Sequence, residues 1–326
     1  MAYLPLFTHP MRLIINMPAF NEAKKIAETI QNIPRSYDGI DEVLIQVVDD
    51  GSHDGTADIA RNAGADIVIS HGTNRGLGKM FQTMRHSALE NGADILVNID
   101  ADGQFDSADI QHMIAPILSG ETDMTIADRF AHRKADNIPF MKDKLNRLGA
   151  WVIRTALGYP VTDLTCGFRG HNREALLRLA DPLGFTYTQE TIIDAIGKNL
   201  RLQWIPVHVT YFDKRKSRVV KTIWSYVNNS ARVMIRAFRD IRPLKFFGFP
   251  GMAFILLSII CLTIFLFKYF PRMEVTPHLN SLLATITFFI IGFQFIILAL
   301  VADMIKSSRK TTEETLYHLR SQQYKQ

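Results

Sequence analysis

Stretches typical of β-strands alternate with stretches typical of helices along the first two-thirds of the chain. Six short apolar runs, most of them rich in β-branched residues, can each form a strand, and the segments between them have the apolar spacing of helices. The predicted strands are 13–16, 43–48, 67–69, 96–99, 124–127 and 202–209. This alternation predicts an α/β fold with a largely parallel sheet, and such sheets bind ligands at the carboxyl ends of their strands.

The fourth predicted strand is followed by two aspartates, Asp100 and Asp102, and then by Gly103. If the chain stays extended here, alternation points both carboxylates to the same side, where they can reach one hard cation. Mg²⁺ or Mn²⁺ held by one or two carboxylates takes further ligands from substrate phosphates, so the pattern indicates a phosphorylated substrate. A simple polar turn after a strand explains the same residues, because Asp-Gly is a common turn pair.

Two other strand ends carry residues suited to a ligand that approaches the backbone. Asp49, Asp50 and two nearby glycines follow the second strand. Lys79 opens a helix after the third strand, where its ammonium group and the helix N-terminus can both face a diphosphate. The residues around Lys79 form neither a Walker A loop nor the dinucleotide G-x-G-x-x-G pattern. An ordinary strand-turn-helix connection and a solvated lysine remain open as alternatives.

Two long runs without charged side chains lie in the C-terminal third, Phe246–Phe267 and Leu282–Ala302. As helices they are about 33 Å and about 31 Å long, enough to cross a hydrocarbon core of about 30 Å. Basic residues flank the start of the first run and the end of the second, whereas the loop between them carries few. The positive-inside rule then predicts a transmembrane hairpin with both ends, and the catalytic domain, in the cytoplasm. A buried helix pair of a soluble protein is the less favoured alternative.

The net charge of +5 is concentrated in one segment. Between Lys214 and Lys245, ten lysines and arginines accompany a single acid, Asp240, so the rest of the chain is net negative. From Trp224 to Ile241, apolar residues recur at three- and four-residue steps with arginines on the opposite face, which is typical of a helix lying on an anionic membrane surface. Because the basic excess belongs to this segment alone, we do not expect a nucleic-acid partner.

These features divide the chain into five predicted parts. They are a catalytic α/β domain at 1–212, a basic amphipathic segment at 213–245, membrane helices at 246–270 and 281–303, and a cytoplasmic tail at 304–326. We therefore expect an integral protein of the cytoplasmic (inner) membrane, in contact with membrane lipids.

Five short motifs, in their order and spacing, resemble those of the family 2 inverting glycosyltransferases. The motifs are Pro18–Glu22, Asp49–Thr56, Asn74–Gly78, Asp100–Gln104 and Cys166–Arg169. The chain is most similar to the branch of dolichyl-phosphate mannose synthases and bacterial polyprenyl-phosphate glycosyltransferases, and the likeness includes the two C-terminal spans. It implies a GT-A fold (Rossmann-like, mostly parallel) and transfer of a single sugar from a UDP- or GDP-linked donor to a polyprenyl phosphate. A homo-oligomer is also expected.

The resemblance assigns roles to individual residues. The expected donor-nucleotide contacts are Pro18, Ala19, Asn21, Glu22, Asp49, Asp50 and Asp100, to which Lys79 is added for its place at a helix N-terminus. Asp100, Asp102 and Gln104 are expected to hold Mg²⁺ or Mn²⁺, and Arg129 to meet the acceptor phosphate, so that Asp100, Asp102 and Arg129 form the expected catalytic set. Further candidates for binding the acceptor phosphate are Lys142, Lys144, Arg147, Arg215 and Ser217. Three acids can orient these cations or touch the sugar, and the sequence does not rank them: Asp128, Asp163 and Glu190.

The chain departs from the family pattern around the expected acceptor site. Asp128 precedes Arg129 where members often have serine, Cys166 replaces a common serine, and a basic element that is usually longer is shortened to Lys214–Arg218. Three alternative functions stay open. A processive polysaccharide synthase is disfavoured because the chain lacks a Gln-x-x-Arg-Trp element and has only two spans. A nucleotidyltransferase and a non-catalytic membrane scaffold or lipid-carrier subunit are the other two.

Overall fold

The computed structural model describes residues 10–131, 158–182, 187–209, 238–271 and 273–325, with parts of 146–155 and 228–236. The chain forms two compact units. Met1–Val233 and Tyr317–Gln326 belong to the first, named the sheet unit, and Met234–Leu316 form the second, named the hairpin unit.

In the part of the sheet unit that the structure describes, seven strands form one sheet. They are β1 (Arg12–Ala19), β2 (Glu42–Asp49), β3 (Ile67–Ser70), β4 (Ile95–Asn98), β5 (Met124–Asp128), β6 (Arg169–Asn172) and β7 (Leu202–Pro206). Their order across the sheet is β3-β2-β1-β4-β6-β5-β7. All neighbouring strands pair in parallel except β6, which is antiparallel to both β4 and β5. This mostly parallel sheet confirms the predicted α/β fold.

In the described residues between β1 and β7, six helices with complete bounds connect and cover these strands. They are α1 (Ile26–Gln31), α2 (Thr56–Asn62), α3 (Leu77–Glu90), α4 (Asp109–Leu118), α5 (Arg173–Arg178) and α6 (Tyr187–Gly197). The sequence pattern missed β6 and α5. The sixth predicted strand also ends earlier than expected: the chain leaves the sheet after Pro206, and Val209 forms an isolated bridge to Phe105.

A row of buried amides crosses the centre of the sheet. Gln46 on β2 donates to Asn16 on β1 (Nε2 to Oδ1, 2.9 Å), and Asn16 donates to Asn98 on β4 (Nδ2 to Oδ1, 2.7 Å). Asn98 in turn donates to the carbonyl oxygen of Gly167 (2.9 Å) and to the hydroxyl of Tyr187 (3.0 Å). Polar side chains are costly in a core unless they are paired, so this row fixes β4 relative to the segments that carry Gly167 and Tyr187.

The hairpin unit contains two long helices, α7 (Pro243–Tyr269) and α8 (Leu279–Gln323), the second of which runs on into the sheet unit. They meet at two glycines: a Cβ atom added to Gly292 would lie 2.9 Å from the carbonyl oxygen of Gly251. Ser258 also donates to the carbonyl oxygen of Thr285 (2.9 Å). Both helices are long and apolar enough to cross a membrane. In the most apolar 18-residue stretch of each helix only 17 % is buried, so most of this apolar surface is exposed.

The end of α8 continues past the predicted span and packs on the sheet unit. The hydroxyl of Tyr317 donates to Glu174 (2.9 Å), and Arg320 donates to the carbonyl oxygen of Leu179 (2.9 Å). Tyr324 lies 2.5 Å from His86 (hydroxyl to Nδ1). The last residues of the chain are therefore part of the sheet unit.

The amphipathic segment 213–245 lies mostly outside the described residues. Its described positions 231–232, 235–236 and 238–241 are helical, as are those of the predicted helix 140–158 between 146 and 155. Contact of the amphipathic segment with a membrane stays a prediction.

Candidate active site

The chain turns after the carboxyl end of β4, although an extended chain was expected there. The strand ends at Asn98, and a turn at 101–103 follows, with Gly103 in a left-handed conformation (φ 71°). The alternation argument for Asp100 and Asp102 is therefore wrong, because the two residues do not lie on one strand. Both are partly exposed, and Oδ1 of Asp102 accepts a hydrogen bond from the backbone nitrogen of Gln104 (3.1 Å).

The carboxylate of Asp100 lies against the backbone of Gly167. A Cβ atom at Gly167 would lie 3.0 Å from Oδ1 of Asp100, 3.4 Å from its Oδ2 and 3.3 Å from the hydroxyl of Tyr187. A side chain at position 167 would push these groups by a few tenths of an ångström, so Gly167 leaves room for the Asp100 carboxylate. Two carboxylates and the Gln104 amide are oxygen ligands of the kind that Mg²⁺ and Mn²⁺ prefer, and these residues fit such an ion.

Among the described residues, no group of three or more His, Cys, Asp or Glu side chains can hold a metal ion by itself. A cation at Asp100 and Asp102 would therefore need further ligands, which is how Mg²⁺ commonly binds together with substrate phosphates.

Hydrogen bonds join the loops that follow β1 and β2. The backbone nitrogen of Asn21 donates to Ser52 Oγ (2.8 Å), and Asn21 Oδ1 accepts from the backbone nitrogen of His53 (3.0 Å). The backbone nitrogen of Glu22 donates to Thr56 Oγ1 (2.9 Å). Because β1 and β2 are parallel, the expected donor-binding residues of both loops lie at the same edge of the sheet.

Asp50 organises a third loop at this edge. Its side chain is buried, and its two oxygens accept hydrogen bonds from the backbone nitrogens of Arg75 and Gly76, both at 2.9 Å. His71 lies 2.8 Å away (Nδ1 to Oδ1) and links Asp50 to Thr83 on α3. The motifs Asp49–Thr56 and Asn74–Gly78, which are separate in the sequence, are therefore joined by hydrogen bonds in the structure.

Pro18 and Ala19 lie at the end of β1, paired with Val48 and Asp49 of β2. Two other expected donor contacts, Asp49 and Lys79, have local side-chain partners. Asp49 accepts hydrogen bonds from Ser52 in its own turn. The ammonium group of Lys79 donates to Gln82 on the same helix (2.6 Å). Their contacts with a nucleotide stay predictions.

Arg129 follows β5 and is held by a buried carboxylate. Its Nε and Nη2 donate to Oδ2 and Oδ1 of Asp163 at 2.7 Å and 3.0 Å, and Nη2 also donates to Thr165 Oγ1 at 2.7 Å. Burial by itself raises the pKa of Asp163, but the charge and hydrogen bonds of Arg129 outweigh this and hold the pKa below its usual range. Of the three acids that the sequence did not rank, Asp163 is the partner of Arg129, whereas Asp128 accepts a bond from the backbone nitrogen of Phe130.

The loop 163–168 links the ends of β4 and β5. It leads into β6, where Arg169 pairs with Asn98 of β4 and with Ile126 of β5. The backbone nitrogen of Ala127 donates to the carbonyl oxygen of Phe168 (3.0 Å). Since β4 and β5 point the same way, Asp100 after one strand and Arg129 after the other both contact this loop at the carboxyl edge of the sheet.

Most other acceptor candidates lie outside the described residues: Lys142, Lys144, Arg215 and Ser217. Arg147 is described and exposed. Its neighbour Asn146 was not predicted as a site residue, yet its Oδ1 accepts from the backbone nitrogen of Leu164 (3.2 Å) and its Nδ2 donates to the carbonyl oxygen of Thr162 (3.1 Å). Nothing in the sequence around Asn146 signals this role, nor the contact of Tyr187 with Gly167.

Residues 14–179 match the family model described as glycosyl transferase family 2. The chain is 33 % identical over 219 residues to an uncharacterized protein of Methanocaldococcus jannaschii, covering 66 % of this chain and 88 % of that protein. It is 32 % identical over 224 residues to the UDP-N-acetylglucosamine–dolichyl-phosphate N-acetylglucosaminyltransferase of Methanococcus voltae, with coverages of 62 % and 87 %. The polyprenol monophosphomannose synthase of Mycolicibacterium smegmatis is 27 % identical over 209 residues, with coverages of 61 % and 77 %.

Among solved structures, the fold is similar to that of glucosyl-3-phosphoglycerate synthase from Mycobacterium tuberculosis. Its complex with UDP has a TM-score of 0.55 at 20 % identity, over 72 % of this chain and 80 % of that one. The complex of the same enzyme with Mn²⁺, UDP and glucosyl-3-phosphoglycerate has a TM-score of 0.54. This likeness supports the GT-A fold. The matching family model and the glycosyltransferases among the relatives confirm the resemblance that the five motifs indicate: the chain is a glycosyltransferase and belongs to glycosyl transferase family 2.

Proposed function

We propose that this enzyme transfers one sugar, with inversion, from a nucleotide-diphosphate sugar to the phosphate of a polyprenyl phosphate. The observation that carries the proposal is that one loop, 163–168, contacts both the Asp100 carboxylate and the Arg129 guanidinium. Asp100, a carboxylate suited to a metal-bound diphosphate, thus lies at one end of this short loop. Arg129, a cation suited to a second phosphate, lies at the other end. The M. voltae and M. smegmatis relatives are named for dolichyl and polyprenol phosphates, which supports the acceptor.

On the donor side, Asp100, Asp102 and Gln104 would hold Mg²⁺ or Mn²⁺ against the diphosphate. A cation bound there neutralises the negative charge that develops on the departing nucleoside diphosphate. The M. tuberculosis neighbour binds Mn²⁺ together with UDP, which supports this assignment. The loops that carry Asn21 and Asp50 would receive the nucleoside, since they lie at the same edge of the sheet.

On the acceptor side, Arg129 would bind the phosphate through charge-assisted hydrogen bonds. The second pKa of a phosphate monoester lies near 6, so the attacking oxygen is largely ionised at neutral pH and does not need a general base. It forms a bond to the anomeric carbon while the bond from that carbon to the nucleoside diphosphate breaks. Positioning and charge compensation then carry the catalysis.

The membrane supplies the second substrate in this proposal. Helices α7 and α8 would cross the bilayer, and the basic side chains before and after them would lie on the cytoplasmic side together with the sheet unit. The flanking residues that support this orientation are Arg239, Arg242, Lys245, Lys306, Arg309 and Lys310. A polyprenyl chain stays in the bilayer, so an enzyme anchored there meets its phosphate at the surface.

The proposal can be tested with the full chain purified in detergent. The protein is incubated with Mn²⁺, radiolabelled UDP- or GDP-sugars, and undecaprenyl phosphate, dolichyl phosphate or 3-phosphoglycerate. We expect label in the organic phase and a product mass equal to the lipid phosphate plus one sugar. Label only on 3-phosphoglycerate, or a lipid carrying several sugars, would contradict the proposal.

Two variants locate the activity. Asp102→Asn removes a carboxylate from the expected metal site, and we expect turnover to fall by about a hundredfold or more, the scale of losing one charge-stabilising group. Asp106→Asn is the matched control, because this exposed aspartate lies in the same loop and asparagine keeps its hydrogen bond to the backbone nitrogen of Ala108. Near-normal turnover of Asp102→Asn would rule out the metal-binding role of Asp102.

A further inference from the structure

We propose that Arg169 is a positioning residue for both substrates of this enzyme. By clamping the loop 163–168, it holds the donor-side Asp100 and the acceptor-side Arg129 in a fixed relation. The inference rests on the function proposed above and adds to it, because it assigns a role to a motif, Cys166–Arg169, that the family resemblance leaves without one.

The acceptor end of the loop fixes the plane of the Arg129 guanidinium. Asp163 accepts from two of its nitrogens, and Thr165 accepts from Nη2. The backbone nitrogen of Thr165 donates to Oδ1 of Asp163 (2.9 Å), so the two residues that hold the arginine are themselves tied together. A shift of this end of the loop would therefore turn Arg129.

The donor end of the loop supports the Asp100 carboxylate. Gly167 lies beneath both carboxylate oxygens, and its carbonyl oxygen accepts from Asn98 (2.9 Å), the residue at the end of β4. The hydroxyl of Tyr187 also lies against Gly167. A displacement of Gly167 would move the surface on which the carboxylate rests, and with it any cation held there.

Arg169 binds the loop between these two ends. Its Nε donates to the carbonyl oxygen of Cys166 (2.8 Å) and its Nη2 to that of Leu164 (3.4 Å), so it spans both sides of Thr165. Its Nη1 donates to Thr191 Oγ1 on α6 (2.7 Å), which anchors the clamp to the body of the sheet unit. The guanidinium carbon lies 5.7 Å from the centre of the Tyr187 ring.

The complete burial of Arg169 indicates that its hydrogen bonds, and not its size alone, determine its role. The side chain is 0 % exposed, and a guanidinium taken out of water is costly unless its hydrogen bonds are satisfied. Burial also lowers the pKa of Arg169. A methionine or leucine would fill a core position without that cost, but neither can bind two carbonyl oxygens and a hydroxyl at once. The role of Arg169 is therefore to hold the loop rather than to fill space.

If Arg169 holds both ends of the loop, three variants should differ in which substrate they affect. Gly167→Ala pushes on the Asp100 carboxylate and should weaken nucleotide binding only when Mn²⁺ is present. Asp163→Asn loosens Arg129 and should weaken the acceptor alone. Arg169→Met should do both, because it releases the whole loop.

The experiment compares Arg169→Met and Arg169→Lys with a matched control, Arg85→Lys. Arg85 is likewise 0 % exposed, but it binds the carbonyl oxygen of Leu179 and the carboxylate of Asp181 instead of the loop 163–168. Three quantities are measured on the full chain in detergent: Tm, the affinity for UDP and GDP with and without Mn²⁺ by calorimetry, and kcat and KM for the lipid phosphate.

We expect Arg169→Met to lower the Mn²⁺-dependent nucleotide affinity and to raise the acceptor KM, each by about tenfold, and to lower kcat by up to about a hundredfold, the scale of an approximately 1 Å misplacement. Arg169→Lys should recover part of each loss. Arg85→Lys should change Tm, but neither the nucleotide affinity nor kcat and KM for the lipid phosphate. If Arg169→Met changes Tm alone, or affects one substrate only, the inference is overturned.

The test still decides the inference if Arg169→Met does not fold or if the wild type shows no sugar transfer. If Arg169→Met does not fold, Thr191→Val removes the anchor of Nη1, together with the hydrogen bond from the Thr191 hydroxyl to the carbonyl oxygen of Tyr187 (2.7 Å). It should change the same quantities in the same direction by smaller factors. If the wild type transfers no sugar to a lipid phosphate, the proposed function fails, whereas the inference is still decided by Mn²⁺-dependent nucleotide affinity and by binding of undecaprenyl phosphate. Unchanged binding of both ligands in the variants would overturn it.

Discussion

The guanidinium of Arg129 and the carboxylate of Asp163 form a buried two-point ion pair, with Nε to Oδ2 at 2.7 Å and Nη2 to Oδ1 at 3.0 Å. The Asp163 side chain is 0 % exposed and that of Arg129 is 8 % exposed. Because a planar guanidinium bound at two points cannot swivel, the pair fixes the orientation of the Arg129 guanidinium. In the function proposed above, where Arg129 binds the acceptor phosphate, Asp163 would therefore affect catalysis without touching either substrate.

Asp163→Asn tests this relationship. The substitution keeps the shape but removes the charge that orients Arg129, so we expect the acceptor KM to rise about tenfold while nucleotide affinity stays unchanged. Initial rates at varied lipid phosphate and calorimetry with UDP or GDP measure the two effects. Asp123→Asn is the control, because Asp123 forms a similar two-point pair with Arg201 elsewhere in the sheet unit (2.7 Å and 3.1 Å). An equal rise in KM for both variants would contradict the orienting role.

His171 predicts an acid sensitivity of the sheet unit. The side chain is fully buried on β6 beside Phe81, and burial, with the charge of Arg169, lowers its pKa to about 3. An unfolded histidine titrates near 6.5, so below that pH the unfolded state takes up a proton that the folded state does not. The free energy of unfolding should then fall by about 1.4 kcal/mol for each pH unit below about 6.5, until the pH reaches the folded value.

The slope of Tm against pH measures this effect. Wild type and His171→Gln are unfolded thermally between pH 7.5 and pH 5, and we expect the variant to be less stable but to have a flatter slope. His112→Gln, which changes an exposed histidine on α4, should keep the slope of the wild type. A slope that is the same in His171→Gln and the wild type would exclude His171 as its cause.

The sheet and the residues after its strands were predictable because both leave local signals. Apolar β-branched runs marked β1 to β5; the end of the fourth run led to Asp100, and the family resemblance led to Arg129. β6 was missed because Arg169–Asn172 contains no aliphatic side chain: it is buried by tertiary packing around an arginine and a histidine, against the local pattern.

The pairing that orients the site was not predictable from spacing. Asp163 and Arg129 are 34 residues apart, and only the position of β6 between β4 and β5 brings them together. The two aspartates after β4 illustrate the opposite case. Their identity indicated a metal, but the extended geometry assumed for them was wrong, since the chain turns after Asn98. The residue types indicated the chemistry, but they did not predict this turn, in which Gly103 adopts a left-handed conformation.

The end of α8 should stabilise the sheet unit. Arg320 is nearly buried and donates to the carbonyl oxygens of Leu177 and Leu179 (3.2 Å and 2.9 Å). Arg320→Ala leaves these acceptors without that donor, which costs about 1–3 kcal/mol in the free energy of unfolding. Thermal unfolding in detergent measures the loss. Arg309→Ala is the control, because Arg309 pairs with Glu313 on the exposed surface of the same helix, and such pairs contribute little. Equal Tm values for both variants would mean that the packed end adds no stability.

The contact between Gly251 and Gly292 should be required for close packing of the two long helices. A Cβ atom at Gly292 would lie 2.9 Å from the carbonyl oxygen of Gly251 and 2.9 Å from the side chain of Ile255, so Gly292→Val forces α7 and α8 apart. We expect a loss of about 1–3 kcal/mol, the usual cost of overpacking, seen as a lower Tm in detergent. Gly248→Val is the matched control, because a Cβ atom there has no neighbouring atom within 4 Å. Since both variants add the same apolar side chain to the same hairpin, a drop in Tm confined to Gly292→Val isolates the helix contact, and an equal drop in both would refute it.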